Sequence, residues 1–304
     1  MLSYTRTRFH DVRLRLEHHI PTSRLNAFLW EFFLFGFKQA WACLFGGIIL
    51  GLVLITKIYW PPHARLARYD FLFLAALTIQ VLLLILRMET IREAKVILVF
   101  HLVGTLMELF KTSVGSWTYP ENSLIRIGHV PLFSGFMYSS VGSYLARITR
   151  ILDMRYTRYP DTKVNTTLAV LIYINFFTHH FFPDVRVLLF LFVAAAFGRT
   201  WVYYRPYRRF HRMPLLLGFC LVALFIWGAE NIGTFASIWV YPHQRNGWQL
   251  VSFGKYGAWL LLMIISFILV SFVHPPRAPS EDELEANPFL TSPSTQQQNQ
   301  PIRS

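Results

Sequence analysis

Uncharged apolar runs recur along the chain at intervals, separated by short polar stretches. A bilayer core roughly 30 Å thick takes about 20 helical residues at 1.5 Å each. The runs have that length, and the pattern predicts eight membrane-spanning helices at 38–59, 69–86, 94–114, 131–152, 164–182, 185–204, 213–237 and 254–273. Ahead of them, residues 1–37 alternate basic and apolar positions. Ser23 is placed to cap a helix that carries Leu25, Phe28, Leu29, Phe32 and Phe33 on one side, the pattern of a helix lying in the membrane interface. Residues 274–304 are rich in Pro, Ser, Gln and Asn and are expected to form a disordered cytoplasmic tail. The first apolar run lacks a small-residue cleavage pattern, so the N-terminus is expected to stay attached.

A shift of 122 residues lays Glu108 on Glu230, Thr112 on Thr234, Trp117 on Trp239, Tyr119 on Tyr241 and Pro120 on Pro242 without a gap. The expected architecture is therefore all-α: a polytopic bundle built as two four-helix repeats, 38–152 and 153–273. Four helices is an even number, so both repeats enter the membrane the same way and are parallel.

Composition supports a membrane protein, with 54% hydrophobic and 15% charged residues in 304. The net charge of +13 raises nucleic acid as a partner, but the distribution of the cations argues against it. Of the 29 lysines and arginines, 21 fall in the termini and the loops on their side of the predicted bundle, and 8 fall in the opposite loops. By the positive-inside rule both termini are cytoplasmic, in a bacterial inner membrane, with membrane lipid as the neighbour. Cation clusters at Arg147, Arg150, Arg155, Arg158 and Lys163, and at Arg205, Arg208, Arg209 and Arg212, then read as anchors against anionic lipid. The two cysteines, Cys43 and Cys220, lie inside predicted spans and imply no disulfide framework.

In this orientation Glu108, Lys111, Glu230 and Asn231 lie in the outer third of the third and seventh spans, and His179 and His180 end the fifth. Ionisable groups at membrane depth are costly and usually face a bundle interior or wet cavity. His101, Thr105, Glu108 and Thr112 form one helical stripe. Simpler readings stand beside this one. Glu108 and Lys111 are one turn apart and can pair. Trp117, Tyr119, Trp239 and Tyr241 occupy positions where an aromatic belt belongs. Gly135, Ser139, Gly142 and Ala146 have the spacing of close helix packing.

The runs 108–121, 130–138 and 175–180, with Asp184, resemble an uncharacterised bacterial membrane family, domain-of-unknown-function family 817. A membrane glutamate followed by 115–119, Gly128 and Val130-Pro131-Leu132 is also similar to the lycopene-cyclase-domain and carotenoid-hydratase membrane families. The paired glutamates that usually follow the cyclase Pro-Leu are here Phe133 and Ser134. That resemblance therefore implies a shared helical scaffold more than cyclase chemistry.

Three functions fit these residues. The first is a cyclase- or hydratase-like enzyme acting on a lipid or isoprenoid drawn from the membrane. Glu108 and Glu230 would be its acids, His179 and His180 proton acceptors, and Trp117, Tyr119, Trp239, Tyr241, Lys111 and Asn231 substrate contacts. The second is a proton-coupled small-molecule transporter using the same glutamates. The third is a metal-dependent enzyme with His179, His180, Asp184 and His243 as ligands. No glycine-rich phosphate loop follows a strand pattern, so a nucleotide cofactor has no support.

Overall fold

The computed structural model describes residues 24–280 apart from Pro62 and Arg208. Ser23 and most of the expected tail lie outside the described residues. Among them the chain forms nine α-helices: α1 (Arg24–Ala42), α2 (Leu44–Tyr59), α3 (Arg68–Ile85), α4 (Ile91–Ser113), α5 (Phe133–Ile151), α6 (Thr162–Thr178), α7 (Arg186–Phe197), α8 (Leu215–Phe235) and α9 (Gly254–Val273). Five short strands join them: β1 (Arg126–Ile127), β2 (Val130–Pro131), β3 (Arg155–Thr157), β4 (Trp201–Tyr204) and β5 (His211–Pro214).

Helices α2 to α9 fall on the eight predicted segments, one each. Four of them, α3, α4, α8 and α9, are long and apolar enough to cross a membrane. α1 and α2 meet at 70° and add a fifth if the bent pair is one span. The prediction of eight full spans thus reduces to four or five that meet this standard. The sixth segment shows why. α7 is only 12 residues long, and the apolar Trp201–Tyr204 that seemed to continue it is strand β4, antiparallel to β3 and β5. A continuous apolar run after a turn at Gly198 satisfies a hydropathy window whether it is strand or helix, and pairing decides between them.

The exterior carries the membrane signature. On α4, Leu98, Leu102 and Leu106 are 58%, 56% and 63% exposed at one-turn spacing, and Leu217, Leu221 and Phe225 do the same on α8. Water-exposed apolar faces of that extent are not sustained in a soluble monomer. α1, bent away from α2, likewise leaves Leu25, Phe28, Leu29, Phe32 and Phe33 exposed.

Polar residues point inward. α4 starts with a capping box in which Thr90 and Glu93 exchange backbone and side-chain bonds. It packs on α5 along Gly104, Gly135 and Gly142, where added methyl groups would meet Tyr138, His101 and Phe100 at 2.6 to 2.8 Å. The small-residue stripe of α5 is therefore a packing surface, as its spacing suggested. Arg147 was expected to be a lipid anchor. It is instead wholly buried, ion-paired with Glu89, which also accepts from Gln80 and from Ser143 at 2.8 Å. Low exposure leaves its guanidinium no water, so the partner must be internal. Arg155 and Arg205 both pair with Asp153 at 2.6 Å and tie the β3–β4 sheet to its loops.

Candidate functional site

The two glutamates occupy equivalent local structures. α4 ends with Gly115 at φ +72°, where Ser116 N–H reaches back to Lys111 C=O at 2.9 Å and Gly115 N–H to Thr112 C=O at 3.1 Å. α8 ends with Ser237 at φ +57°, with Ile238 N–H to Gly233 C=O and Ser237 N–H to Thr234 C=O, both at 3.0 Å. Both are Schellman caps, and every partner differs by 122 residues. Glycine adopts this left-handed conformation freely, whereas Ser237 does so with its hydroxyl held by Lys57 at 3.0 Å.

After the caps the two chains turn over the helix ends and meet. Thr118 N–H donates to Val240 C=O at 3.0 Å, and Val240 N–H to Thr118 C=O at 2.9 Å, an antiparallel bridge between residues again 122 apart. The bridge lays the Trp117 ring edge-on to Tyr241, centroids 5.9 Å apart.

Under the bridge sit the carboxyls, each residue 3% exposed. Oε2 of Glu108 accepts from Trp117 Nε1 and Tyr119 OH, both at 2.7 Å, and Oε1 accepts from Tyr138 OH at 2.8 Å. Glu230 accepts from Tyr241 OH on Oε1 and from Trp259 Nε1 on Oε2 at 2.6 Å. Among the described residues neither forms an ion pair.

The other expected residues sort differently. Lys111 does not pair with Glu108. Its Nζ donates to Phe176 C=O at 3.1 Å and contacts His180 Nε2 at 2.8 Å, because Glu108 turns toward the rings of its own exit loop. Asn231 is a structural peg: its amide donates to Trp227 C=O and accepts from Val251 N–H, both at 2.8 Å. Trp239 packs against Gly233 and makes no bond to Glu230, so the place that Trp117 fills for Glu108 passes to Trp259. His179 lies beside His180, ring centroids 4.1 Å apart, whereas His243 stacks on Tyr241 and Asp184 bonds Asn175 and Arg186. Among the described residues no three His, Cys, Asp or Glu are placed to hold a metal ion.

Sequence reasoning missed three residues. Tyr138 and Trp259 supply the donor from the following helix, at offsets of 30 and 29 from their glutamates, and the 122-residue shift misses the pair because it lays Tyr138 on Leu260. Lys255, in the first turn of α9, places Nζ 4.6 Å from the Tyr241 ring centroid and 5.7 Å from that of Trp117. Nothing in its local sequence marks it.

Exposed apolar helices around an interior of bonded carboxyls and rings define a polytopic helical membrane protein. The chain belongs to the DUF817 family of proteins of unknown function, whose model matches residues 31–267. It is 44% identical over 251 residues to the uncharacterized protein YoaT of Bacillus subtilis (strain 168), covering 83% of this chain and 94% of that protein. No solved structure matches it. The likeness to lycopene-cyclase-domain and carotenoid-hydratase families rests on short motifs alone.

Proposed function

We propose that this is a proton-coupled membrane transporter in which Glu108 and Glu230 carry the proton, at the contact between two like-oriented four-helix halves. The inner membrane and cytoplasmic termini belong to the same proposal. The single observation behind it is the hydrogen-bond pattern on the two acids. An indole N–H can only donate, so the oxygen facing Trp117 or Trp259 must accept and stay unprotonated. The other oxygen faces a tyrosine hydroxyl, Tyr138 or Tyr241, which can donate to a carboxylate or turn and accept from a carboxylic acid. Each acid therefore has one protonatable oxygen, and taking up a proton there requires only a hydroxyl rotation.

The same acids served the lipid-enzyme expectation, but acid catalysis needs substrate within hydrogen-bond reach of the carboxyl. The cavity lined by Gly104, Met107 and Tyr138 measures about 10 Å³, and neither glutamate lines it. Carrying a proton asks nothing of the carboxyls beyond the hydroxyl rotation already described, and on that ground transport is proposed ahead of lipid chemistry. The test is a proton current in proteoliposomes on a solid-supported membrane, across a panel of small organic solutes. A solute-dependent current is expected, lost in Glu230→Gln and in Glu108→Gln. Absence of any coupled current across the panel, or its survival in the double variant, would overturn the proposal.

A further inference from the structure

The rings that flank the loop-to-loop bridge also hold a cation. The Lys255 ammonium lies 4.6 Å from the Tyr241 ring centroid and 5.7 Å from that of Trp117, and the two rings stand edge-on to each other. Trp117 and Tyr241 are buried and direct their polar atoms to the acids, Nε1 to Glu108 and the hydroxyl to Glu230, so what they offer Lys255 is ring surface. Lys255 itself is partly exposed. Among the described residues its Nζ has neither a hydrogen-bond acceptor nor a carboxylate partner. Arg186 also reaches the start of α9, at Gly254 C=O 3.4 Å away, but its charge is paired with Asp184 at 2.6 Å. The ammonium is therefore held on the protein side by ring faces alone, a non-directional attraction that leaves its three N–H donors unused there.

We infer that the Trp117–Tyr241 ring pair is a binding site for a quaternary ammonium ion, and that Lys255 is the tethered occupant which such an ion displaces. Aromatic faces are the usual recognition elements for quaternary ammonium groups, which have no N–H to donate and so need none of the acceptors this place lacks. A lysine head there forgoes hydrogen bonds that water would supply, and only its flexible stem keeps it on the rings. The exchange leaves the number of charges on the rings unchanged. The inference deepens the transport reading and rests on it for the ligand's role as cargo. Each ring donates to one of the two acids, so ionised Glu108 and Glu230 favour a cation on the rings and their protonated forms do not. Cargo and proton then exchange for one another.

The experiment is equilibrium binding of tetramethylammonium chloride to the full chain in phosphatidylcholine nanodiscs at constant ionic strength, read by tryptophan fluorescence with potassium chloride as the reference. Lys255→Ala vacates the rings without removing a directed bond, so it should bind tetramethylammonium at least tenfold more tightly than the wild type. Lys255→Arg keeps a cation on the rings and should match the wild type. Lys163→Ala, which removes a lysine from the first turn of α6, should match it too and separates the effect from a change in net charge. Local damage weakens binding, so a gain of affinity cannot be read as misfolding. No saturable response in Lys255→Ala, a response of wild-type strength, or an equal gain in Lys163→Ala overturns the inference. Binding is read with no proton gradient. A saturable response without any coupled current keeps the site and removes the transport reading, whereas a current driven by other solutes with no tetramethylammonium response does the reverse.

Discussion

Replacing Glu108 by leucine removes the shared acceptor of three buried donors: Trp117 Nε1, Tyr119 OH and Tyr138 OH. A buried donor left without a partner costs ~1–3 kcal/mol. Three orphaned donors therefore predict a loss of about 3–9 kcal/mol for Glu108→Leu by that rule. Glu230 serves two donors, and Glu230→Leu should lose about 2–6 kcal/mol on the same basis. Glutamine behaves differently. Its amide oxygen can face the indole and accept, while its NH2 donates to a tyrosine that has turned to accept, so only the charge assistance is lost, at ~1–2 kcal/mol per site. The order of stability should be wild type, then the glutamine variants, then Glu230→Leu, then Glu108→Leu. Unfolding of detergent-purified protein followed by tryptophan fluorescence measures it. Leucine variants as stable as the glutamine variants would refute the view that these carboxyls hold the exit turns in place.

Three further outcomes are expected. Gly104→Ala puts a methyl 2.6 Å from the Tyr138 ring and should cost about 1–3 kcal/mol by overpacking, whereas Gly51→Ala, with nothing within 4 Å, should be neutral or stabilising in the same melt. Arg147→Met strands Glu89 in the interior and should cost ~3–5 kcal/mol, most of it recovered in Arg147→Met/Glu89→Leu; a double variant no better than the single would contradict this. Asp184 lies in the loop between α6 and α7. Burial pushes its carboxyl up, but hydrogen bonds from Asn175 and the Arg186 backbone and the Arg186 charge outweigh burial, so it titrates below its ordinary value. The stability it contributes is complete above that ordinary value, near ~3.9, and is lost as pH falls through the lower folded value. Asp184→Asn should flatten the acid limb of thermal midpoint against pH below about 4, and an unchanged limb would reject the argument.

The sequence alone determined the helical class, the eight apolar segments and the recurrence of Glu, Trp and Tyr at a fixed offset, because hydrophobic period and residue spacing are local properties of the chain. It also placed both glutamates near the ends of their helices, as the Schellman caps require. It could not decide which apolar run becomes a strand, since β4 depends on partners at β3 and β5 that are distant in sequence. Nor could it foresee that Lys111 turns to His180 and Phe176, that Trp259 stands in for Trp239, or that Arg147 goes inward to Glu89. Those outcomes were settled by tertiary structure, because a buried polar side chain takes whichever partner the packed helices bring within hydrogen-bond distance, and that partner is seldom near in the chain.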